Sequence, residues 1–193
     1  MLSLFPDQRI YPAGFQYVPD FITADQEQQL ISLISGYPLK PMIFQGFEAK
    51  RKVISFGYDY HFDSRMLTRG EPIPPEFHTI VSQVAGHVGI ESSLVAELLL
   101  TEYPVGSVIN WHRDAPPFDR VMGISLNSDC TFRLRPHDKL LQGRKSIISV
   151  PVKRRSLYIL EGEVRYDWQH STLPVEHKRF SITLRTLRGG ISE

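Results

Sequence analysis

His112 and Asp114, separated by Arg113, are the residues with the clearest capacity for chemistry, and His170 follows His112 by 58 positions. A strand-like run, Val108–His112, leads into the triplet. Side chains two apart on an extended chain point the same way, so the imidazole and the carboxylate converge while Arg113 turns aside. With His170 as a third ligand, two imidazoles and one carboxylate form the set that suits non-haem Fe(II), with three coordination positions open for reactants. The same His-x-Asp pattern recurs at His61-Phe62-Asp63, in a stretch rich in Tyr and Phe, where His61 reads as a surface or packing residue. His137 and Asp138 sit in a solvated loop, and His78, His87 and His177 read as structural or exposed.

The segment after His170 separates the first triplet from the second. Between 179 and 185, Arg179, Ser181, Thr183 and Arg185 alternate with Phe180, Ile182 and Leu184. A strand with this pattern has one apolar face and one polar face carrying two cations. Such a strand either lies at a solvated edge or forms a pocket wall whose guanidinium groups grip carboxylates in bidentate fashion.

These residues need a scaffold, and the rest of the chain supplies one. Strand-like runs occur at Val53–Tyr58, Leu94–Tyr103, Val108–His112, Val121–Leu126, Thr131–Arg135, Ser146–Val150, Ser156–Leu160 and Phe180–Thr186. Turn signals at Pro104-Val105-Gly106, Asn127-Ser128-Asp129 and Leu160-Glu161-Gly162 divide them. Thr23 and Gln26 make a capping box ahead of Leu30, Ile31 and Ile34, which predicts a helix over 24–35. A second helix is expected from Pro74 or Pro75, with Phe77, Ile80, Val81 and Val84 on one face and Gly86 and Gly89 near its end. The fold class expected is mainly β (α+β), a double-stranded β-helix or jelly roll braced by N-terminal helices. One domain spans residues 1–193, with N-terminal helices and a substrate lid over about 1–93 and the jelly-roll core over about 94–187.

Composition narrows the function classes. With 22 basic and 21 acidic residues the net charge is +1, so no bulk field calls for nucleic acid or membrane, and any such binding needs a local patch. The single cysteine, Cys130, excludes an intramolecular disulfide framework and a cysteine zinc cluster; it reads as a buried strand residue. The start of the chain lacks a basic, long-apolar leader, and no apolar run approaches the roughly 18 to 20 residues that span a bilayer. A cytoplasmic protein without a membrane partner or an obligate protein partner is expected.

Taken together, His112-x-Asp114, His170 and the Arg179…Arg185 pair resemble the AlkB family of Fe(II)/2-oxoglutarate dioxygenases. Tyr103-Pro-Val-Gly106, nine residues before the first ligand, agrees in order and spacing, as do Leu126 and Arg165. The resemblance covers about residues 94–187, with looser support from Arg51-Lys-Val-Ile-Ser-Phe-Gly-Tyr58. It implies that His112, Asp114 and His170 ligate Fe(II), that Arg179 with Tyr103 holds the distal carboxylate of 2-oxoglutarate, and that Arg185 lies near the metal-bound end. The chain departs from the family pattern at Thr101 and Ser181, where shorter hydrogen-bonding residues replace Asn.

The resemblance also implies a reaction. 2-Oxoglutarate and O2 meet at the iron, the keto acid leaves as succinate and CO2, and a substrate C–H bond is hydroxylated. On an N-methyl group the product releases formaldehyde, so the implied substrates are N-alkylated bases in DNA or RNA. Lys50-Arg51-Lys52 beside Phe44, Phe47 and Phe56 could meet a phosphate backbone and a flipped base, with Arg51 and Lys52 as substrate contacts. Lys153-Arg154-Arg155 reads as a turn. Some base-demethylating members carry an acidic residue near the flipped base two positions after the Asp ligand; here that position is Pro116, with Asp119 as a nearby substitute. Two other readings are an iron oxygenase acting on a protein or small molecule, and a non-catalytic module that retains metal without turnover.

Overall fold

The computed structural model describes residues 11–44, 46–61 and 64–189, and of Phe44 and Phe47 only the backbone. Strands β1 (Phe15–Val18), β2 (Lys40–Phe44), β3 (Phe47–His61) and β4 (Met66–Arg69) precede β5 (Val95–Tyr103). After it come β6 (Phe118–Leu126), β7 (Cys130–Pro136), β8 (Ile148–Val152), β9 (Leu157–Leu160), β10 (Trp168–Thr172) and β11 (Arg179–Leu187). Among the described residues there are also three α-helices, α1 (Ala24–Ser35), α2 (His78–Val88) and α3 (Gly162–Tyr166), and four short 3-10 helices.

Every strand pair is antiparallel. The larger sheet runs β1-β9-β6-β11-β5-β3-β2, with β4 added on β3, and the smaller runs β10-β7-β8. Alternation along the central strands divides the interior in two. Leu98 and Leu100, Met122 and Ile124, and Phe180, Ile182 and Leu184 pack with Leu30 and Ile34 of α1 and Ile80, Val81 and Val84 of α2. Between the sheets, Val121 and Leu160 meet Phe132, Leu134, Val150 and Val152. The helices therefore brace the outer face of the larger sheet, and the second interior lies between sheets.

Local chemistry accounts for most boundaries. The Thr23 hydroxyl accepts from the Gln26 amide (3.1 Å) and the Gln26 side chain accepts from the Thr23 amide (2.9 Å), so the predicted capping box is formed. A 3-10 turn over Pro75–Phe77 leads into α2, which ends where Gly89 turns left-handed at φ 71°. Gly57, at φ 86°, lets β3 pass the Ala96 carbonyl so closely that a Cβ would overlap it. Cys130 is a half-buried strand residue.

Two expectations need correction. Val108–His112 is not a regular strand: within it the backbone hydrogen bonds to the 170–175 segment fall at Ile109 and His112, three residues apart, leaving His112–His170 as an isolated bridge. The N-terminal region supplies four strands of the larger sheet as well as two helices. Among the described residues no helix is long and apolar enough to cross a membrane.

The basic run at 153–155 is absorbed by the scaffold. Arg154 pairs with Glu27 of α1, whose side chain is fully buried and also accepts from the Asn127 amide at 2.8 Å. Lys153 pairs with Asp129 and Arg155 with Asp20. Removing the fully buried Glu27 carboxylate takes away the acceptor that the Asn127 N–H and the half-exposed Arg154 guanidinium share and leaves a void under α1. Glu27→Ala is expected to destabilise the fold by about 1 to 3 kcal/mol, and Glu27→Gln by less because its amide oxygen still accepts. Thermal unfolding checks this; an alanine variant with an unchanged midpoint contradicts it.

Candidate active site

The polar face of β11 looks inward. β11 lies between β5 and β6, not at an edge, so Arg179, Ser181 and Thr183 are buried rather than solvated. This face, with Glu97, Thr101 and Tyr103 of β5 and Tyr158 of β9, walls a cavity of about 560 Å³ between the sheets. The hairpin of β2 and β3 adds Met42, Arg51 and Ser55, and the smaller sheet adds Phe132 and His170.

His112, Asp114 and His170 converge at the cavity's edge, with their donor atoms all within 4.8 Å of one another. The two histidines are bridged through their backbones, N of each to O of the other at 3.1 and 2.9 Å. His112 Nδ1 donates to the Asn110 carbonyl at 2.8 Å, which leaves Nε2 as the free donor atom. The Phe132 ring stacks on His170 at 5.3 Å and fixes its plane. Asp114 is divided between tasks. Its Oδ1 accepts from Arg185 Nε (3.0 Å) and Nη2 (2.7 Å), while Oδ2 is buried without a hydrogen-bond partner, 3.4 Å from His170 Nε2.

Protonation states match those a metal requires. Burial pushes both imidazoles down, His170 to about 3. Burial alone would raise the Asp114 carboxyl, but the Arg185 charge, helped by the two histidines and Arg165, holds it well below the usual carboxylate range. Neutral imidazoles, an ionised carboxylate and an orphaned buried Oδ2 fit a divalent cation.

Arg179 marks a second position. It is 3 % exposed, and among the described residues no carboxylate pairs with it. Its Nε donates to Ser125 Oγ at 2.9 Å, and the guanidinium lies 4.8 Å from the centre of the Tyr103 ring. The Tyr103 hydroxyl is 3.2 Å from Ser181 Oγ, and Thr101 lies opposite Ser181 across the strands. A buried cation without a counter-charge fits a carboxylate ligand.

The expected substrate contacts fall differently. Arg51 shares a face of β3 with Val53 and Ser55 and lines the cavity, its guanidinium bonded to Met42 Sδ. Lys52 points to the opposite face and pairs with Glu102 at 3.4 Å. Pro116 is exposed and outside the cavity wall. Asp119 accepts from the Tyr166 hydroxyl. Phe56 packs in the helix-side core, and the Phe44 and Phe47 side chains lie outside the described residues. In the second triplet His61 bonds Thr68 Oγ1 at 2.8 Å, with Phe62 and Asp63 outside the described residues. Arg113 turns aside to the Tyr166 carbonyl (2.7 Å).

Several contributors escaped the sequence reading. Glu97, buried on β5, takes Arg185 Nη1 and accepts from Ser55 Oγ at 3.0 Å. A charged residue inside Val95-Ala-Glu-Leu-Leu-Leu-Thr-Glu-Tyr103, on the same alternation as Thr101 and Tyr103, was the available signal. Arg165, which the resemblance named without a role, is buried and donates to the carbonyls of Ala115 (2.8 Å) and Phe118 (2.7 Å), pinning the loop after Asp114. Tyr158 crosses Gly123 so closely that a Cβ there would enter the ring. That need for glycine has no mark in a single sequence.

The chain matches the 2OG-Fe(II) oxygenase superfamily over residues 14–185. Among known proteins it is 25 % identical over 191 residues to the tRNA (carboxymethyluridine(34)-5-O)-methyltransferase alkbh8 of Xenopus tropicalis, covering 94 % of this chain and 29 % of that protein. It is 24 % identical over 216 residues to the alkylated DNA repair protein ALKBH8 homolog of Arabidopsis thaliana, covering 94 % and 60 %. The chain thus spans less than two thirds of either relative. Its fold is similar to that of OsALKBH1 (TM-score 0.72, 14 % identity, 92 % of this chain and 99 % of the other). It is also similar to a prolyl-4-hydroxylase of Pseudomonas putida (TM-score 0.61, 16 % identity, 91 % and 93 %). The expected jelly-roll fold is thereby borne out.

Two outcomes follow from this geometry. His112→Ala and Asp114→Ala each remove one of three candidate metal ligands, and are expected to abolish Fe(II) binding and 2-oxoglutarate turnover while the far-UV circular dichroism spectrum is unchanged; wild-type turnover in either variant contradicts the assignment. Arg179→Ala is expected to raise the KM for 2-oxoglutarate about 10- to 150-fold, the equivalent of about 1.5 to 3 kcal/mol for a charge-assisted hydrogen bond. An unaltered KM in steady-state succinate assays removes Arg179 from that role.

Proposed function

This chain belongs to the 2OG-Fe(II) oxygenase superfamily, and from that premise we propose that it oxidatively demethylates N-alkylated bases in DNA or RNA. The family uses Fe(II), 2-oxoglutarate and O2, and the dioxygenase assignment is that of the family. What carries the reading is the cavity: two neutral imidazoles and an ionised carboxylate with an orphaned oxygen at one side, an uncompensated buried guanidinium in its wall, and Arg51 facing in from β3. The AlkB-type names of the two relatives support a nucleic-acid substrate.

When bound, Fe(II) with 2-oxoglutarate and O2 supplies the oxidation of a C–H bond. In this reading His112 Nε2, Asp114 Oδ2 and His170 hold the metal. Arg185 keeps Asp114 Oδ1 occupied, so the carboxylate presents Oδ2 alone. The Arg179 guanidinium receives the distal carboxylate, with Tyr103 and Ser181 completing a polar recess that Thr101 borders. Burial pushes the Tyr158 phenol up, so it faces this recess as a neutral O–H. Leu99, Phe118 and Leu160 line the remaining wall and exclude water.

The balance is simple. One oxygen atom of O2 enters the N-methyl C–H bond, the other enters succinate as 2-oxoglutarate loses CO2, and the N–CH2OH product splits to formaldehyde and N–H. With Fe(II), ascorbate and 2-oxoglutarate, formaldehyde is expected from DNA or RNA oligonucleotides carrying 1-methyladenine or 3-methylcytosine, and not from their unmethylated counterparts. Slow succinate formation without formaldehyde from any methylated strand would contradict the base-demethylase reading and turn the search to protein or small-molecule substrates.

A further inference from the structure

On the outer face of the smaller sheet, opposite the cavity, β7 presents two arginines. Phe132 and Leu134 point into the core between the sheets, so Arg133 and Arg135 point outward. They reach across the neighbouring β10 strand, where Arg133 Nε donates to Ser171 Oγ at 3.1 Å and Arg135 Nε to Gln169 Oε1 at 2.8 Å. Beyond β10 both guanidinium groups lie against a single indole, that of Trp111, at 4.8 and 4.4 Å from its centre. Trp111 precedes the ligand His112, whose side chain points the other way, into the cavity.

Surface cations without a carboxylate partner elsewhere, such as Lys139, Arg144, Lys145 and Arg188, are exposed, whereas Arg133 and Arg135 are half-buried and held over one ring. Lys52, Arg120, Lys153, Arg154, Arg155 and Lys178 each have a carboxylate partner. Among the described residues, Arg133 and Arg135 have none, although two like charges held over one ring repel each other. Both are half-buried and anchored through Nε. Each therefore keeps its Nη edge, which forks an oxyanion, without a protein partner among the described residues.

We propose that Arg133 and Arg135, stacked on Trp111, form a phosphate site on the outer face of the smaller sheet that holds the backbone of a nucleic-acid strand whose modified base enters the cavity. The proposal rests on the nucleic-acid reading above. It adds a contact on the side of the His112 segment away from the metal, fixed before the strand arrives because the indole and the two Nε bonds already set both guanidinium planes. Such a contact positions the strand without reading its sequence.

The test uses fluorescence anisotropy of a labelled, unmethylated single-stranded oligonucleotide, in DNA and in RNA, titrated with the full chain across a series of salt concentrations. Arg133→Gln/Arg135→Gln is expected to lose roughly ten-fold or more in affinity, with the slope of log K against log salt falling by about 2. Arg133→Lys/Arg135→Lys keeps the charge and loses the fork, so it should retain most of the slope while binding less tightly than the parent. Thermal midpoints of both variants show that the sheet is intact; if the glutamine variant is unfolded, the lysine variant decides, and parental affinity in it overturns the proposal. Oligonucleotide binding by the parent with the same affinity and slope in the glutamine variant overturns the phosphate site and leaves the nucleic-acid reading standing. Absence of oligonucleotide binding by the parent overturns both.

Discussion

Arg185 donates from Nε and Nη2 to one oxygen of Asp114 and from Nη1 to Glu97, all within the space between the two sheets. A single guanidinium there faces two buried carboxylates: it holds Asp114 well below the usual carboxylate range, while burial still pushes Glu97 up. Because Asp114 Oδ1 is committed to Arg185, Oδ2 is left alone toward the histidines. Glu97 in turn is held by Ser55 on β3, so the ligand's orientation is tied to three strands of the larger sheet. The cavity wall and the candidate metal site are thus one electrostatic unit.

That unit explains why the central strands are polar on one face and apolar on the other while being buried on both. Phe180, Ile182 and Leu184 fill the core under the helices, and Arg179, Ser181, Thr183 and Arg185 line or underlie the cavity. The apolar face carries the packing energy that holds the uncompensated charges in place. Arg165 contributes differently, by tying the Ala115 and Phe118 carbonyls and so fixing the loop that follows Asp114.

Some of this was legible in the sequence because it is local or periodic. The capping box at Thr23 and Gln26, the apolar stripe of α2 and the alternation along β11 each carry their own signal. β10 did not: Trp168-Gln-His-Ser-Thr172 has polar residues on both faces, since one face lines the cavity and the other meets the arginines of β7. β2 was hidden by Pro41, tolerated because the strand lies at the end of the sheet. The three metal-ligand candidates are brought together as their types and spacing suggested, yet through an isolated bridge rather than a regular strand. The separation of Arg51 from Lys52 follows from strand alternation, but only pairing of β3 with β5 decides which of them faces the cavity.

The central claim is that one buried cluster orients a three-ligand iron site while a separate buried arginine waits for a carboxylate. A crystal structure grown anaerobically with Mn(II) in place of Fe(II) and with 2-oxoglutarate tests it most directly. The account predicts the metal on His112 Nε2, Asp114 Oδ2 and His170 Nε2, with the distal carboxylate of 2-oxoglutarate on the Arg179 guanidinium and Arg185 still on Asp114 Oδ1. Metal bound elsewhere, or a co-substrate carboxylate that leaves Arg179 unpaired, would contradict it.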